Sequence, residues 1–259
     1  MQDSTAESPD QIPAVMAALK DVCGEALLAL YLHGSAVSGG LRPQSDIDLL
    51  AIVAQGLAED RRARLLAALL RISARHPARP GGPRCIELLV VRAPDLAHGF
   101  PARAEFLYGE WLRGDFEAGE SPLPSRDPEY TLLLAQAQRQ ARPLFGPPAA
   151  EMLPEIPLGH IRRAMRDALP ALLAGLPGDG RNVLLTLARM WHTASTGAFV
   201  AKDAAAAWAM PQIPDPQDAA VLDHARRAYL GEAAEECRLR GNEARRLAQH
   251  LRDRILALL

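Results

Sequence analysis

The chain has 259 residues, 49% of them apolar, and a formal net charge of −2. That length suffices for one large domain or two modest ones with real cores, and the scattered basic residues leave no basic stripe of the kind a polynucleotide-binding surface needs. Three widely separated cysteines, Cys23, Cys85 and Cys237, argue against a disulfide framework or a zinc site; no apolar run approaches a membrane span, and the polar, acidic first residues lack a signal-peptide pattern.

A reducing cytoplasm is therefore expected. The positive charge is almost all arginine, with Lys20 and Lys202 the only lysines, a bias that fits GC-rich coding. The first element is a helix with Ser8 as N-cap, Pro9 at its first position and Gln11 closing a capping box. It runs to about Val22, with Ile12, Val15, Met16, Leu19 and Val22 on one stripe.

Residues 31–53 then read strand, tight turn, irregular segment, strand. Gly34-Ser35 form the turn, and Asp46-Ile47-Asp48 run into Leu49-Leu50-Ala51-Ile52-Val53. Alternate side chains of a strand share a face, so Asp46 and Asp48 point one way while Ile47 and Leu49 point into a core. Two such carboxylates repel unless a cation lies between them, and hard oxygen ligands near a phosphate suit Mg²⁺. Gly34 permits close backbone approach and Ser35 offers an N–H and a hydroxyl, a turn able to hold phosphate oxygens.

A second amphipathic helix spans about Glu59–Ser73, a Pro/Gly-rich loop spans Ala78–Arg84, and Cys85–Val91 is a buried-type strand. Glu87 is a lone carboxylate in that strand: either an edge residue facing solvent or a third acid converging on the Asp pair. A hairpin-like region follows over Ala102–Gly119. In it Trp111 is a core aromatic or a ring offered to a cation, and Glu110 and Asp115 either add negative potential or are solvated charges. Asp127 caps a helix that starts at Pro128 and reaches about Ala141.

Gly146-Pro147-Pro148 reads as a boundary dividing residues 1–149 from 150–259. Beyond it the pattern is helical, over about Leu158–Ala174, Gly180–Thr196, Lys202–Met210, Pro216–Leu230 and Glu232–Leu258, which suits a compact bundle. Asp179 lies in an N-cap position. Lys202 is a poor choice at a helix start on dipole grounds alone. Trp191, His192 and Trp208 read as packing residues.

Gly34-Ser35, the gap to Asp46 and the Asp46-x-Asp48 pair match the signature of the nucleotidyltransferase superfamily that includes DNA polymerase β. The wording LHGSAVSGGL…SDIDLL, FLYGEWLR, GDGRNVLLTLARMWHTASTGAFVAKDAAAAWAM and RRAYLG resembles the aminoglycoside 3''/9-adenylyltransferases over nearly the whole chain. The resemblance implies an α/β nucleotidyltransferase (polymerase β-like) domain followed by an all-α helical domain, with ATP·Mg²⁺ and the drug between them.

The same resemblance implies AMP transfer from ATP to a hydroxyl of streptomycin or spectinomycin, with release of pyrophosphate. Asp46, Asp48 and Glu87 would hold two Mg²⁺ ions, and Glu87 would serve as general base. ATP would be bound by Gly34, Ser35, Arg189, Lys202, Asn182 and Tyr229. Trp111 and Asp179 would contact the drug; family members acting on both drugs carry this Trp and Asp, and those restricted to spectinomycin lack them. A monomer that acts on small molecules and binds neither nucleic acid nor membrane is expected. Two other readings share the signature: an enzyme that adenylylates a protein or another small molecule, and a non-catalytic antitoxin-type relative, which would be free to lose a carboxylate.

Overall fold

The computed structural model describes residues 11–79, 81–97, 100–234 and 241–259. Ser8 and Pro9, expected to start the first helix, lie outside them, as does Cys237. The chain forms two compact units, one reaching Ile156 and the other running from Pro157 to Leu259.

The first unit contains α1 (Gln11–Cys23), β1 (Leu27–Leu32), β2 (Ile47–Val53), α2 (Glu59–Ile72), β3 (Ile86–Arg92), β4 (Arg103–Ala104), β5 (Phe106–Tyr108), α3 (Arg113–Glu117), β6 (Ser125–Arg126), α4 (Pro128–Gln140), β7 (Arg142–Phe145) and α5 (Ala149–Met152). Five strands make one mixed sheet in the order β5-β3-β2-β1-β7, while β4 pairs separately with β6. β1 runs antiparallel to β2 and to β7, β2 parallel to β3, and β3 antiparallel to β5. The parallel pair needs a crossover connection, which α2 supplies.

Both faces of the sheet are covered, so its strands are apolar at nearly every position. One face packs Leu30, Ile47, Leu49, Ile86 and Leu88 against Val15 and Leu19 of α1 and Leu65 and Leu69 of α2. The other packs Tyr31, Leu50, Ile52, Leu89 and Val91 against Leu134 and Ala137 of α4. Ala149 and Leu153 belong to this second cluster, which is why the first unit continues past Gly146-Pro147-Pro148. The region around Ala102–Gly119 is not a hairpin. β4 and β5 pair with different partners, and residues 110–112 form a 3₁₀ turn leading into α3.

The second unit is helical: α6 (Leu158–Ala174), α7 (Gly180–Thr196), α8 (Lys202–Ala209), α9 (Pro216–Leu230) and α10 (Asn242–Leu256). α7 is its centre, buried along Val183, Leu184, Leu185, Leu187, Ala188, Met190 and Trp191 and packed by α6, α8, α9 and α10. Trp191 is 1% exposed and meets Trp208 edge-on, with ring centroids 5.1 Å apart; His192 also meets Trp208 edge-on. The last helix starts at Asn242 and not at Glu232. Gly231, at φ +79°, closes α9, and Glu232 N–H returns to the Arg227 carbonyl at 2.8 Å.

Candidate active site

The strand directions gather the chemistry of the first unit at one end of its sheet. β1 ends where β2 begins, β3 begins beside β2, and β5 ends beside the start of β3. Gly34-Ser35, Asp46 and Asp48, Glu87 and Gly109 therefore all lie at this end.

The turn after β1 is fitted to Asp48. His33 N–H donates to the Asp48 carbonyl at 3.0 Å, and Gly34 takes φ +65°. A β-carbon on Gly34 would fall on Asp48 Oδ2, well inside contact distance. Glycine is required here twice, by conformation and by space. Ser35 Oγ is buried and has no hydrogen-bond partner, a hydroxyl kept available for a ligand. Ser38 Oγ, further along the loop, is bonded to the Gln140 side chain of α4 at 3.3 Å.

The segment before Asp46 is held from outside. Ser45 closes a turn with Arg42 through Ser45 N–H to the Arg42 carbonyl and Arg42 N–H to Ser45 Oγ, both at 3.0 Å. Arg84 Nη1 donates to the carbonyls of Arg42 and Ser45 at 2.9 and 2.8 Å. The Pro/Gly-rich loop thus ends in the residue that braces this segment. Gln11 in turn bonds the Arg84 N–H and carbonyl, both at 2.8 Å.

Asp46 and Asp48 are half-buried while Ile47 and Leu49 are buried, as alternation requires. Glu87 is half-buried on an inner strand and stands opposite Asp48 in the β2–β3 register. Neighbouring strands are about 4.8 Å apart, so these two like charges are direct neighbours and repel. Tyr130 lies in the first turn of α4, its hydroxyl 3.0 Å from Ser125 Oγ. Burial raises its phenol pKa; the Ser125 hydrogen bond pulls it back, and the charges of Asp127, Glu129 and Glu87 push it up again. Burial, then the charges of Asp46 and Glu110, drive the Cys85 thiol up to about 12, so Cys85 is a neutral core residue.

Among the described residues no three His, Cys, Asp or Glu side chains close on a common point. The donor set still fits a hard dication with a phosphate: carboxylate oxygens on one face, an unpartnered hydroxyl and a glycine cradle beside them.

At the last strand of this end, Trp111 is 59% exposed, a ring offered to solvent rather than a core aromatic. Glu110 is neither a solvated charge nor a source of open negative potential. Its carboxylate is buried and receives Arg113 Nε at 2.6 Å and Nη2 at 2.8 Å, Ser73 Oγ at 2.6 Å and Tyr108 OH at 2.6 Å. Burial alone would raise its pKa; the bonds from Arg113, Ser73 and Tyr108 outweigh burial and hold it below the usual carboxylate value. Ser73 Oγ also accepts from Ile86 N–H at 2.9 Å, tying the Trp111 turn to the strand that carries Glu87. Asp115 is exposed. Ser73, Arg84 and Tyr130 carry no local signal in the sequence; the Tyr108–Glu110–Arg113 spacing, within FLYGEWLR, is the one local cue to this cluster.

In the second unit, Asp179 is the N-cap of α7 and accepts from Asn182 N–H at 3.3 Å. The Asn182 side-chain oxygen accepts from Lys202 Nζ at the start of α8. Arg189 is seven residues beyond Asn182, two turns along the same face, with Thr186 between; all three are half-buried on a helix otherwise packed in the core. Asp179, Asn182, Arg189 and Lys202 therefore share one polar stripe and its N-terminal end. Tyr229 is half-buried in the last turn of α9.

A family model described as "Aminoglycoside adenylyltransferase, C-terminal domain" matches residues 151–254, and one described as "Nucleotidyltransferase domain" matches residues 15–78. The chain is 40% identical to a spectinomycin 9-adenylyltransferase of Staphylococcus aureus over 248 residues, 95% of each chain. It is 35% identical to an aminoglycoside (3'') (9) adenylyltransferase of Escherichia coli, covering 96% of this chain and 95% of that one. The crystal structure of a spectinomycin adenyltransferase from Enterococcus faecialis with ATP and spectinomycin is similar at a TM-score of 0.90 and 30% identity, covering 96% of this chain and 100% of that one. The chain belongs to the aminoglycoside adenylyltransferase family of nucleotidyltransferase enzymes.

Proposed function

We propose that this protein transfers AMP from ATP to the 9-hydroxyl of spectinomycin and the 3''-hydroxyl of streptomycin, releasing pyrophosphate and so conferring resistance to both drugs. The observation that carries the reading is the register that sets Glu87 beside Asp48, at the sheet end where Gly34 packs on Asp48 and Ser35 keeps a free hydroxyl. A drug hydroxyl attacks the α-phosphorus of ATP, the bond to the β-phosphate oxygen breaks, and pyrophosphate leaves. Glu87 takes the hydroxyl proton, a role suited to a carboxylate whose neighbours are also negative.

Asp46, Asp48 and Glu87 would hold two Mg²⁺ ions, which offset charge on the phosphate oxygens when bound. Gly34 and Ser35 receive phosphate oxygens through backbone N–H and hydroxyl. Arg189 and Lys202 supply positive charge to the triphosphate, Arg189 as a fork and Lys202 as a point charge, and Asn182 and Tyr229 line the nucleotide. Trp111 and Asp179 contact the cationic drug, the first through its exposed ring face.

The chain is proposed to act as a cytoplasmic monomer on small molecules and not on nucleic acid, in keeping with its dispersed arginines and net charge of −2. Among the described residues no helix is long and apolar enough to cross a membrane. The test is incubation of the pure protein with ATP, Mg²⁺ and each drug, read by mass spectrometry. Each drug should gain the mass of one AMP, and chelation of Mg²⁺ should stop it. Absence of the adduct on both drugs would overturn the reading.

A further inference from the structure

The ring of Trp111 occupies the space of a missing side chain. A β-carbon at Gly109 would stand 2.6 Å from Trp111 Cε3 and closer still to Cη2 and Cζ3. Gly109 is extended, at φ −158° and ψ 153°, a conformation any residue adopts. Its backbone therefore does not demand glycine; the space above it does.

The direction of that space matters. β3 and β5 pair Leu89 with Leu107 and Leu88 with Tyr108, and the next step of this register sets Gly109 abreast of Glu87. Alternation then points the absent β-carbon to the face that carries Glu87 and Asp48. The ring lying there is therefore on the carboxylate face of the sheet. Beneath it the turn is fixed: Leu112 N–H bonds the Gly109 carbonyl at 3.0 Å, and the buried Glu110 carboxylate is held by Ser73, Tyr108 and Arg113. Arg113 also donates to the Ser73 carbonyl at 3.2 Å. With the turn pinned and the ring exposed, the ring is the part that must yield if the space is filled.

We infer that Gly109 is a specificity-determining position: by lacking a side chain it seats the Trp111 ring over its own backbone, on the sheet face that carries Glu87, and so presets the platform that accepts streptomycin. This rests on the reading of Trp111 as a streptomycin contact. A ring held in its binding orientation before the drug arrives avoids the ordering cost of fixing it on binding. Gly109 touches no reacting atom and acts through Trp111 as a positioning residue.

The experiment compares Gly109→Ala, Trp111→Ala and the double variant, with kcat/KM measured for streptomycin and for spectinomycin. Gly109→Ala should lower the streptomycin-to-spectinomycin ratio about tenfold, through a raised KM for streptomycin, the scale of one lost cation–π contact. The double variant should be no worse than Trp111→Ala, because the two changes remove the same interaction. If Trp111→Ala lowers the ratio while Gly109→Ala leaves it within about twofold of the parent, the inference fails and the Trp111 reading stands. If Trp111→Ala itself leaves the ratio unchanged, both fail. Additive losses in the double variant would also overturn the inference, since Gly109 would then act through something other than the ring. Should Gly109→Ala prove insoluble, the double variant, which lacks the clashing ring, should be soluble; insolubility of both would place the clash elsewhere and refute the seat.

Discussion

Glu87 lies between Ile86 and Leu88, both buried, in a strand where it is the single carboxylate. A charge in such a place has to be compensated or used. Its place on an inner strand, in register opposite Asp48, makes an edge role untenable. Glu87→Gln keeps the shape and removes the basicity. We expect kcat to fall by ~10²–10⁴ while ATP binding, followed by calorimetry, is retained; unaltered turnover would remove Glu87 from the base role. At this scale the sequence was readable where the signal was local. Gly34-Ser35 and Asp46-x-Asp48 declare themselves within a few residues, and Glu87 stands out because its neighbours are apolar. Ser73 and Arg84 do not, because their bonds to Glu110 and Ser45 join residues 37 and 39 positions apart.

Among elements, the turn from Gly109 to Arg113 shows how a short segment can be rigid without a regular ladder. One buried carboxylate gathers a guanidinium, a phenol and a serine hydroxyl. Removal of one partner from such a buried pair leaves the other charge uncompensated. Glu110→Ala should therefore cost about 3–5 kcal/mol at neutral pH, read from urea unfolding. Its pKa is lowered in the fold from an ordinary value of 4.5, so its contribution is present above that value and is lost as pH falls through the lowered one. The gap between parent and variant should shrink on acidification; a gap that widens would contradict the assignment. Most helices of the second unit could be read to within a residue, because Asp179 and Asp215 cap two of them and Gly197 and Gly231 close them. The hairpin-like reading of Ala102–Gly119 failed because β4 and β5 pair with partners distant in sequence, and periodicity carries no information about pairing.

For the whole molecule, the two units differ in how they bury their cores. The first closes a mixed sheet between helices on both faces, and the second wraps α6, α8, α9 and α10 around α7. A unit of about 100 residues with its own buried centre is large enough to fold by itself. Residues 157–259 expressed alone should give a helical circular-dichroism spectrum and a cooperative thermal transition; a featureless melt would show that the second core needs the first unit. The α/β-then-α order was legible from period and punctuation. The unit boundary was less so: Gly146-Pro147-Pro148 looks like a linker, yet Tyr31 OH bonds the Pro147 carbonyl at 3.0 Å and Ala149 joins the sheet's core.

The contact between Gly34 and Asp48 has a consequence for how this protein can change over time. Any side chain at position 34 would claim the volume of the Asp48 carboxylate. Asparagine at 48 would fill the same volume and relieve nothing, while alanine or glycine there would make room only by discarding the carboxylate. A lineage that loses glycine at 34 therefore keeps the aspartate at 48 only by moving its carboxylate from where it stands. Restoring the glycine relieves both the crowding and the positive φ at once, so each of these two positions limits what the other can become.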